Sequence, residues 1–173
     1  MNAETRHRVY FEDSRNMERL RDGVVHLVVT SPPYPMIEMW DEAFRRLNPE
    51  IGERLKANDG RGAFELMHRE LDKVWREVHR VMVDGGIACV NIGDAVRTVG
   101  GVFQLYSSHA RILTACLEIG FLALPAVIWR KQTNAPNKFM GSGMLPGGAY
   151  VTYEHEYILI VRKGLRRDFR TPE

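Results

Sequence analysis

The 173-residue chain has only two cysteines, Cys89 and Cys116. That is too few for a disulfide framework or a zinc cluster, and apolar neighbours make a structural thiol the simplest role for each. No apolar run approaches the roughly 18 residues of a membrane span. The opening Met1-Asn2-Ala3-Glu4-Thr5-Arg6 lacks the apolar segment of a secretory signal. A cytoplasmic protein without membrane contact is therefore expected. Charge is nearly balanced, with 24 Lys and Arg against 22 Asp and Glu, so net charge selects no partner. Only the tail is basic: Arg162, Lys163, Arg166, Arg167 and Arg170 are interrupted by Asp168. Such a cluster suits phosphates or a solvated chain end equally.

What is present is a core. Hydrophobic residues make up 45% of the chain, enough for a single domain over 1–173. Val9-Tyr10-Phe11 reads as a short strand and 16–21 as a short helix. Residues 41–63 are charged and rich in Gly, Asn and Pro, and are read as an insertion of one irregular helix and a loop. Phe64, Met67, Leu71, Val74, Trp75, Val78 and Met82 recur at steps of three and four, which predicts a long amphipathic helix. Its other face carries Glu65, Arg69, Asp72 and Arg76, acid–base pairs at spacing four. Asp84-Gly85-Gly86 is read as its stop.

Ile87–Ile92 should be a buried strand, and Ser107 or Ser108 should cap a helix ending at Gly120. Leu122–Trp129 should be a strand, edged or bulged at Pro125. A polar, glycine-rich insertion spans 131–148, and a last strand runs from Glu156 to Arg162. Strand–helix alternation predicts an α/β fold with a mostly parallel sheet. With no helix between them, the final two strands should pair antiparallel.

The densest signal is Thr30-Ser31-Pro32-Pro33-Tyr34-Pro35, directly after the apolar run 24–29. The prolines end the strand, since neither can donate to a ladder and each fixes its φ. A hydroxyl, a rigid backbone and an aromatic are thereby fixed at the carboxyl end of a strand, where open α/β sheets bind ligands. The bland reading is an ordinary proline-terminated strand end.

Ser31-Pro32-Pro33-Tyr34 resembles the catalytic motif of amino-group DNA methyltransferases, which methylate cytosine N4 or adenine N6. The Ser form is more typical of the N4-cytosine branch. The resemblance runs from Val9 to Lys163 and takes in Asp84-Gly85-Gly86, Ile119-Gly120-Phe121, Trp129-Arg130-Lys131 and Glu154-His155-Glu156-Tyr157. It implies part of a Rossmann-like fold using S-adenosyl-L-methionine (SAM), with DNA as partner. By the same resemblance Ser31 Oγ and the Pro32 carbonyl accept from the target amine, Pro33 stiffens the turn and Tyr34 stacks on a flipped base. Asp13 is the candidate contact to the SAM adenine, although Glu12 stands where the family often has glycine. A plain helix-capping role suits Asp13 as well. Arg130, Lys131 and Lys138 are candidate phosphate contacts, or simply solvated loop charges.

The family's cofactor motif, Asp-Pro-Phe-x-Gly-x-Gly between a strand and a helix, is not found. Phe139-Met140-Gly141-Ser142-Gly143 matches its letters, but neither flank is a strand or a helix, so it is set aside. A second chain supplying the cofactor half, or a homo-oligomer, is thus an expectation. His155 between Glu154 and Glu156 makes a poor metal site, because the acids alternate faces along a strand; no metal is expected. Cytosine N4 methylation is the leading expectation and adenine N6 methylation the next. Related Asn-Pro-Pro-Tyr motifs serve protein-glutamine and RNA methylation, and a non-catalytic nucleic-acid-binding or assembly remnant is a further alternative.

Overall fold

The computed structural model describes residues 4–131 and 153–167. Val25–Thr30 forms β1, followed by a 3-10 turn at Glu38–Trp40, α1 at Asp41–Leu47, α2 at Glu50–Lys56 and α3 at Gly60–Val81. Next come β2 (Met82–Ile92), the hairpin β3 (Ala95–Val99) and β4 (Val102–Tyr106), α4 (Ser108–Ile119), β5 (Phe121–Arg130) and β6 (His155–Lys163). The main sheet has the order β1-β2-β6-β5. β1 and β2 are parallel, and β6 is antiparallel to both of its neighbours. Three strands therefore run one way and the last in sequence runs against them, the α/β arrangement expected.

The long helix is as the periodicity requires. Phe64, Met67, Leu71, Trp75 and Val78 are buried, and Asp59 caps the N-terminus through its carboxylate to the Gly62 N–H at 2.8 Å. They share one core with Ala88, Val90 and Ile92 of β2, Leu159 and Val161 of β6, and Ile112 and Cys116 of α4. Burial pushes the Cys116 thiol up to about 12, fitting a structural role. Among the described residues no element covers the opposite sheet face, where Leu27, Val29, Leu122, Val127 and Trp129 are exposed, and none pairs with the outer edge of β1.

Several local expectations are corrected. Val9–Phe11 forms no strand, since no ladder takes it up, and Phe11 is 97% exposed. Residues 16–21 form turns rather than a helix. Their backbone groups are held by α3: the Met17 N–H donates to Glu77 (2.7 Å), and the Met17 and Leu20 carbonyls accept from Arg80 (3.0 Å each). Residues 41–63 are helical rather than mainly loop; they contain α1, α2 and the first turn of α3. The charges there include i,i+4 pairs such as Arg54–Glu50 and Arg46–Glu42.

Asp84-Gly85-Gly86 does not stop α3, which ends at Val81 with Met82 already extended. It forms an irregularity inside β2, where the partners move from Val25↔Met82 to Leu27↔Ile87. Gly85 has φ +75, and a Cβ there would meet Arg167 Cγ at 2.4 Å. Glu65 and Asp72 do not pair along α3. Both accept from Arg111 of α4, at 3.0 and 2.8 Å, and so clasp the two helices. The β3–β4 hairpin was not anticipated. Its sign was Gly100-Gly101 between two β-prone runs, both glycines at positive φ in the tight turn.

His68 on α3 is fully buried against the Phe64 ring, and neither of its ring nitrogens has a hydrogen-bond partner. Burial lowers its pKa to about 3. The folded state thus holds it neutral, while the unfolded chain protonates it near 6.5. This stabilisation is complete above pH 6.5 and is lost as pH falls towards about 3. In urea unfolding between pH 7 and pH 4, His68→Leu should show a shallower loss of stability than the wild type. Parallel curves would place the acid sensitivity elsewhere.

Candidate active site

The site gathers at one rim of the sheet, where β1, β2 and β5 end and β6 begins. β1 delivers Ser31 and, past the two prolines, Tyr34. β2 delivers Asn91, a polar residue in an otherwise apolar strand, and then Gly93 and Asp94. β5 delivers Lys131, and β6 brings Glu156 opposite Trp129.

Five of these side chains are joined. Ser31 Oγ donates to Tyr34 Oη at 3.1 Å, and Tyr34 Oη donates to Glu156 Oε2 at 3.1 Å. Asn91 Nδ2 donates to both Tyr34 Oη (2.8 Å) and Glu156 Oε2 (2.7 Å). Lys131 Nζ donates to Glu156 Oε1 and lies 4.7 Å from the centre of the Trp129 ring. Burial alone would raise the Glu156 carboxyl. Donation from Lys131, Asn91 and Tyr34 outweighs it and holds Glu156 below the usual carboxylate range. The Tyr34 phenol is pushed up, first by burial and further by the Glu156 charge, so it stays protonated. The network is an anionic carboxylate fed by a neutral hydroxyl chain.

The adjoining cavity, about 280 Å³, is lined by Tyr34, Gly93, Asp94, Lys131, Tyr153 and Glu156 among others. Gly93 makes room for the tyrosine, since a Cβ there would stand 3.1 Å from Tyr34 Cε2 and 3.3 Å from Glu156 Cγ. Behind it, the buried Asp94 carboxylate accepts from the His109 backbone N–H (2.9 Å), the His109 ring (2.8 Å) and Ser107 Oγ (3.3 Å). Asp94 therefore does for the first turn of α4 what the expected serine cap does not, as Ser107 makes no capping bond. The His109 ring stacks on Tyr157 at 3.8 Å, and the Asp94 N–H donates to Tyr153 Oη at 3.0 Å.

Of the residues singled out in the sequence, Ser31, Pro32, Pro33 and Tyr34 form the turn at the end of β1. Tyr34 is half-buried. Lys131 turns inward to Glu156 instead of outward. Arg130 is exposed and pairs with Glu154 at 3.3 Å. Lys138 and the Phe139–Gly143 segment lie outside the described residues. Asp13 follows no strand. It lines a cleft of about 120 Å³ with Ser14, Pro33, Phe44, Glu70 and Leu71, but its carboxylate already accepts from the Arg15 guanidinium at 2.7 and 2.9 Å. That bonding keeps Asp13 below the usual carboxylate range. Among the described residues there is no metal-like group of three His, Cys, Asp or Glu side chains. Nor is any described helix long and apolar enough to cross a membrane.

Asn91 and Glu156 were not singled out as site residues. The signal for Asn91 was its polarity inside a buried run. Glu156 enters the sequence reading only as a flank of His155 and as part of the Glu154–Tyr157 run that opens the last strand.

The chain matches the DNA methylase family over residues 25–171. It is 55% identical over 170 residues to the Type II methyltransferase M.MthZI of Methanothermobacter thermautotrophicus, covering 98% of this chain and 48% of that protein. It is 50% identical over 177 residues to M.MjaI of Methanocaldococcus jannaschii, covering 96% and 58%. The chain thus spans about half the length of the curated relatives it matches. Among solved structures, a DNA modification methylase of Thermus thermophilus complexed with S-adenosyl-L-methionine is 32% identical, with a TM-score of 0.66 over 93% of this chain and 56% of that one. The cytosine-N4-specific PvuII methyltransferase shares the fold at 18% identity and a TM-score of 0.55, over 88% and 48%. A Rossmann-like methyltransferase sheet, a Ser-Pro-Pro-Tyr turn at its carboxyl rim and a match over most of the sequence agree: the chain belongs to the DNA methylase family of N6- and N4-methyltransferases.

Proposed function

We propose that this chain is the catalytic half of a Type II DNA methyltransferase that methylates the exocyclic amine of a flipped base, with cytosine N4 as the target. The observation that carries the reading is the Ser31–Tyr34 turn at the end of β1, opening on a cavity walled by Gly93, Lys131 and Glu156. The wall of Tyr34 and the cavity beside it suit an extruded base. An amine conjugated to a ring is a weak nucleophile. Acceptors at its N–H groups, Ser31 Oγ and the Pro32 carbonyl, favour the pyramidal nitrogen that can react. The two prolines hold these acceptors before the base arrives, so little reorganisation accompanies the reaction. Ser31 in place of Asp, the form more typical of the N4 branch, supports cytosine over adenine.

The cofactor is SAM, which supplies an electrophilic methyl group on a sulfonium. The described residues fit it only in part. The Asp13–Pro33 cleft reaches the back of the catalytic turn, but Asp13 is engaged by Arg15, and no glycine-lined cradle between a strand and a helix occurs among the described residues. The free outer edge of β1 is suited to a further parallel strand. We assign the remaining SAM contacts to a strand-bearing segment docked there, carried by a longer form of the chain or by a second polypeptide. Arg130 and Lys138 are proposed to meet DNA phosphate.

The test is methyl incorporation from labelled SAM into DNA, with the methylated nucleosides identified after digestion. The chain is assayed alone and with the other half of a relative added. N4-methylcytosine in the wild type, with a loss of at least about a hundredfold in Ser31→Ala, is expected. N6-methyladenine would move the target to adenine. Absence of any methylated nucleoside in both preparations would favour the non-catalytic reading.

A further inference from the structure

Methyl transfer to an amine leaves a proton to be disposed of, and Ser31 cannot hold it. A protonated exocyclic amine is a strong acid, yet a serine hydroxyl is a poor final acceptor. In this chain the carboxylate hydrogen-bonded to the catalytic turn is Glu156 of β6, and it is reached through Tyr34. Ser31 Oγ donates to Tyr34 Oη, and Tyr34 Oη donates to Glu156 Oε2, each at 3.1 Å. Both hydroxyls thus donate in one direction along the chain, towards the carboxylate. Asn91 Nδ2 bonds to both downstream oxygens and keeps them in register.

Resting on the methyltransferase reading above, we infer that Ser31, Tyr34 and Glu156 form a proton relay from the target amine to the Glu156 carboxylate. The nitrogen forms its bond to the methyl carbon, and the electron pair of the broken C–S bond stays on sulfur. The amine N–H then breaks, and its proton forms a new O–H bond on Ser31. The proton previously on Ser31 passes to Tyr34 Oη, and that of Tyr34 passes to Glu156 Oε2. The cationic amine and the carboxylate become a neutral amine and a carboxylic acid, while Ser31 and Tyr34 end as they began. Neither tyrosinate nor alkoxide accumulates. Lys131, donating to the other Glu156 oxygen, keeps the acceptor anionic between turnovers. Glu156 borders the open cavity, so its proton returns to water there. Tyr34 thus has two tasks: its ring faces the base and its hydroxyl carries the proton.

The experiment uses the preparation in which the wild type methylates DNA, and compares Tyr34→Phe, Glu156→Gln and the double variant in single turnover. Each single change keeps its shape but breaks one link. Each should slow transfer by about tenfold to a hundredfold, the lower part of the range for positioned acid–base groups, with DNA affinity within about twofold. The double variant should be no slower than the slower single one. A second readout needs no turnover. In carbon-13 spectra of ring-labelled tyrosine, Glu156→Gln should move the Tyr34 phenolic carbon and leave Tyr10 and Tyr106 in place. Multiplicative losses, unchanged rates or an unmoved Tyr34 resonance would overturn the relay while leaving the methyltransferase reading standing. If the wild type methylates nothing in any preparation, that reading fails and the relay fails with it.

Discussion

Tyr34→Ala should slow methyl transfer by about a hundredfold or more while leaving the protein folded. Two losses add. Stacking of a base on an aromatic ring is worth about 1–3 kcal/mol, which is about fivefold to more than a hundredfold at about 1.4 kcal/mol per tenfold. Loss of the hydroxyl removes the middle of the chain from Ser31 to Glu156. The fold should survive, because Tyr34 stands beyond the end of β1 and Glu156 keeps its bonds to Asn91 and Lys131. Tyr34→Phe divides the effect, since it keeps the ring and removes only the hydroxyl. Single-turnover rates and urea midpoints on all three proteins decide the matter. Equal rates for Tyr34→Ala and Tyr34→Phe would show that the ring contributes nothing, and the base would have to be held elsewhere.

Trp75→Ala should be the most damaging core change, at about 3–5 kcal/mol. Trp75 is 2% exposed and sits in the C-terminal half of α3, inside the core shared by the helices and the sheet. A small domain has about 5–15 kcal/mol in total, so a large part of the stability would go. Trp75→Phe is the control. The indole N–H is buried without a partner, so the smaller ring also removes an unsatisfied donor and should cost far less. In urea, Trp75→Ala should lower the midpoint without changing the slope. A midpoint within a few tenths molar of the wild type would mean that neighbouring side chains collapse into the space.

Much of this could be read in the sequence because it depends on period and punctuation. The α3 face from Phe64 to Val78 follows the helical repeat, and the helix that ends at Gly120 has its left-handed glycine there, at φ +112. Pro125 marks both an edge strand and the register shift between Leu124 and Val127. The Ser31–Tyr34 turn was legible as a candidate site because two prolines cannot continue a strand. What was not legible depends on partners distant in sequence. Val9–Phe11 has strand-forming residues but no ladder to join. Residues 16–21 have helical spacing, yet Glu77 and Arg80 take their backbone groups. Glu156 meets Tyr34 from 122 positions away, and no local pattern encodes that distance. Asp94 likewise meets α4 only because the β3–β4 hairpin folds back between them.

The rim has a mechanical consequence as well. The chain leaves the sheet after Arg130 and rejoins it at His155, and these two residues face each other across the same ladder. The Lys131 N–H to Glu154 carbonyl bond, at 2.7 Å, closes the gap one step further out. Whatever stretch of polypeptide lies between has its two roots clamped side by side. In general the entropy of closing a loop between fixed roots grows only as the logarithm of its length, about 0.6 kcal/mol per doubling. The sheet therefore works as a socket: sequences of very different length can be exchanged at this point, beside the cavity, while the strands beneath keep their register.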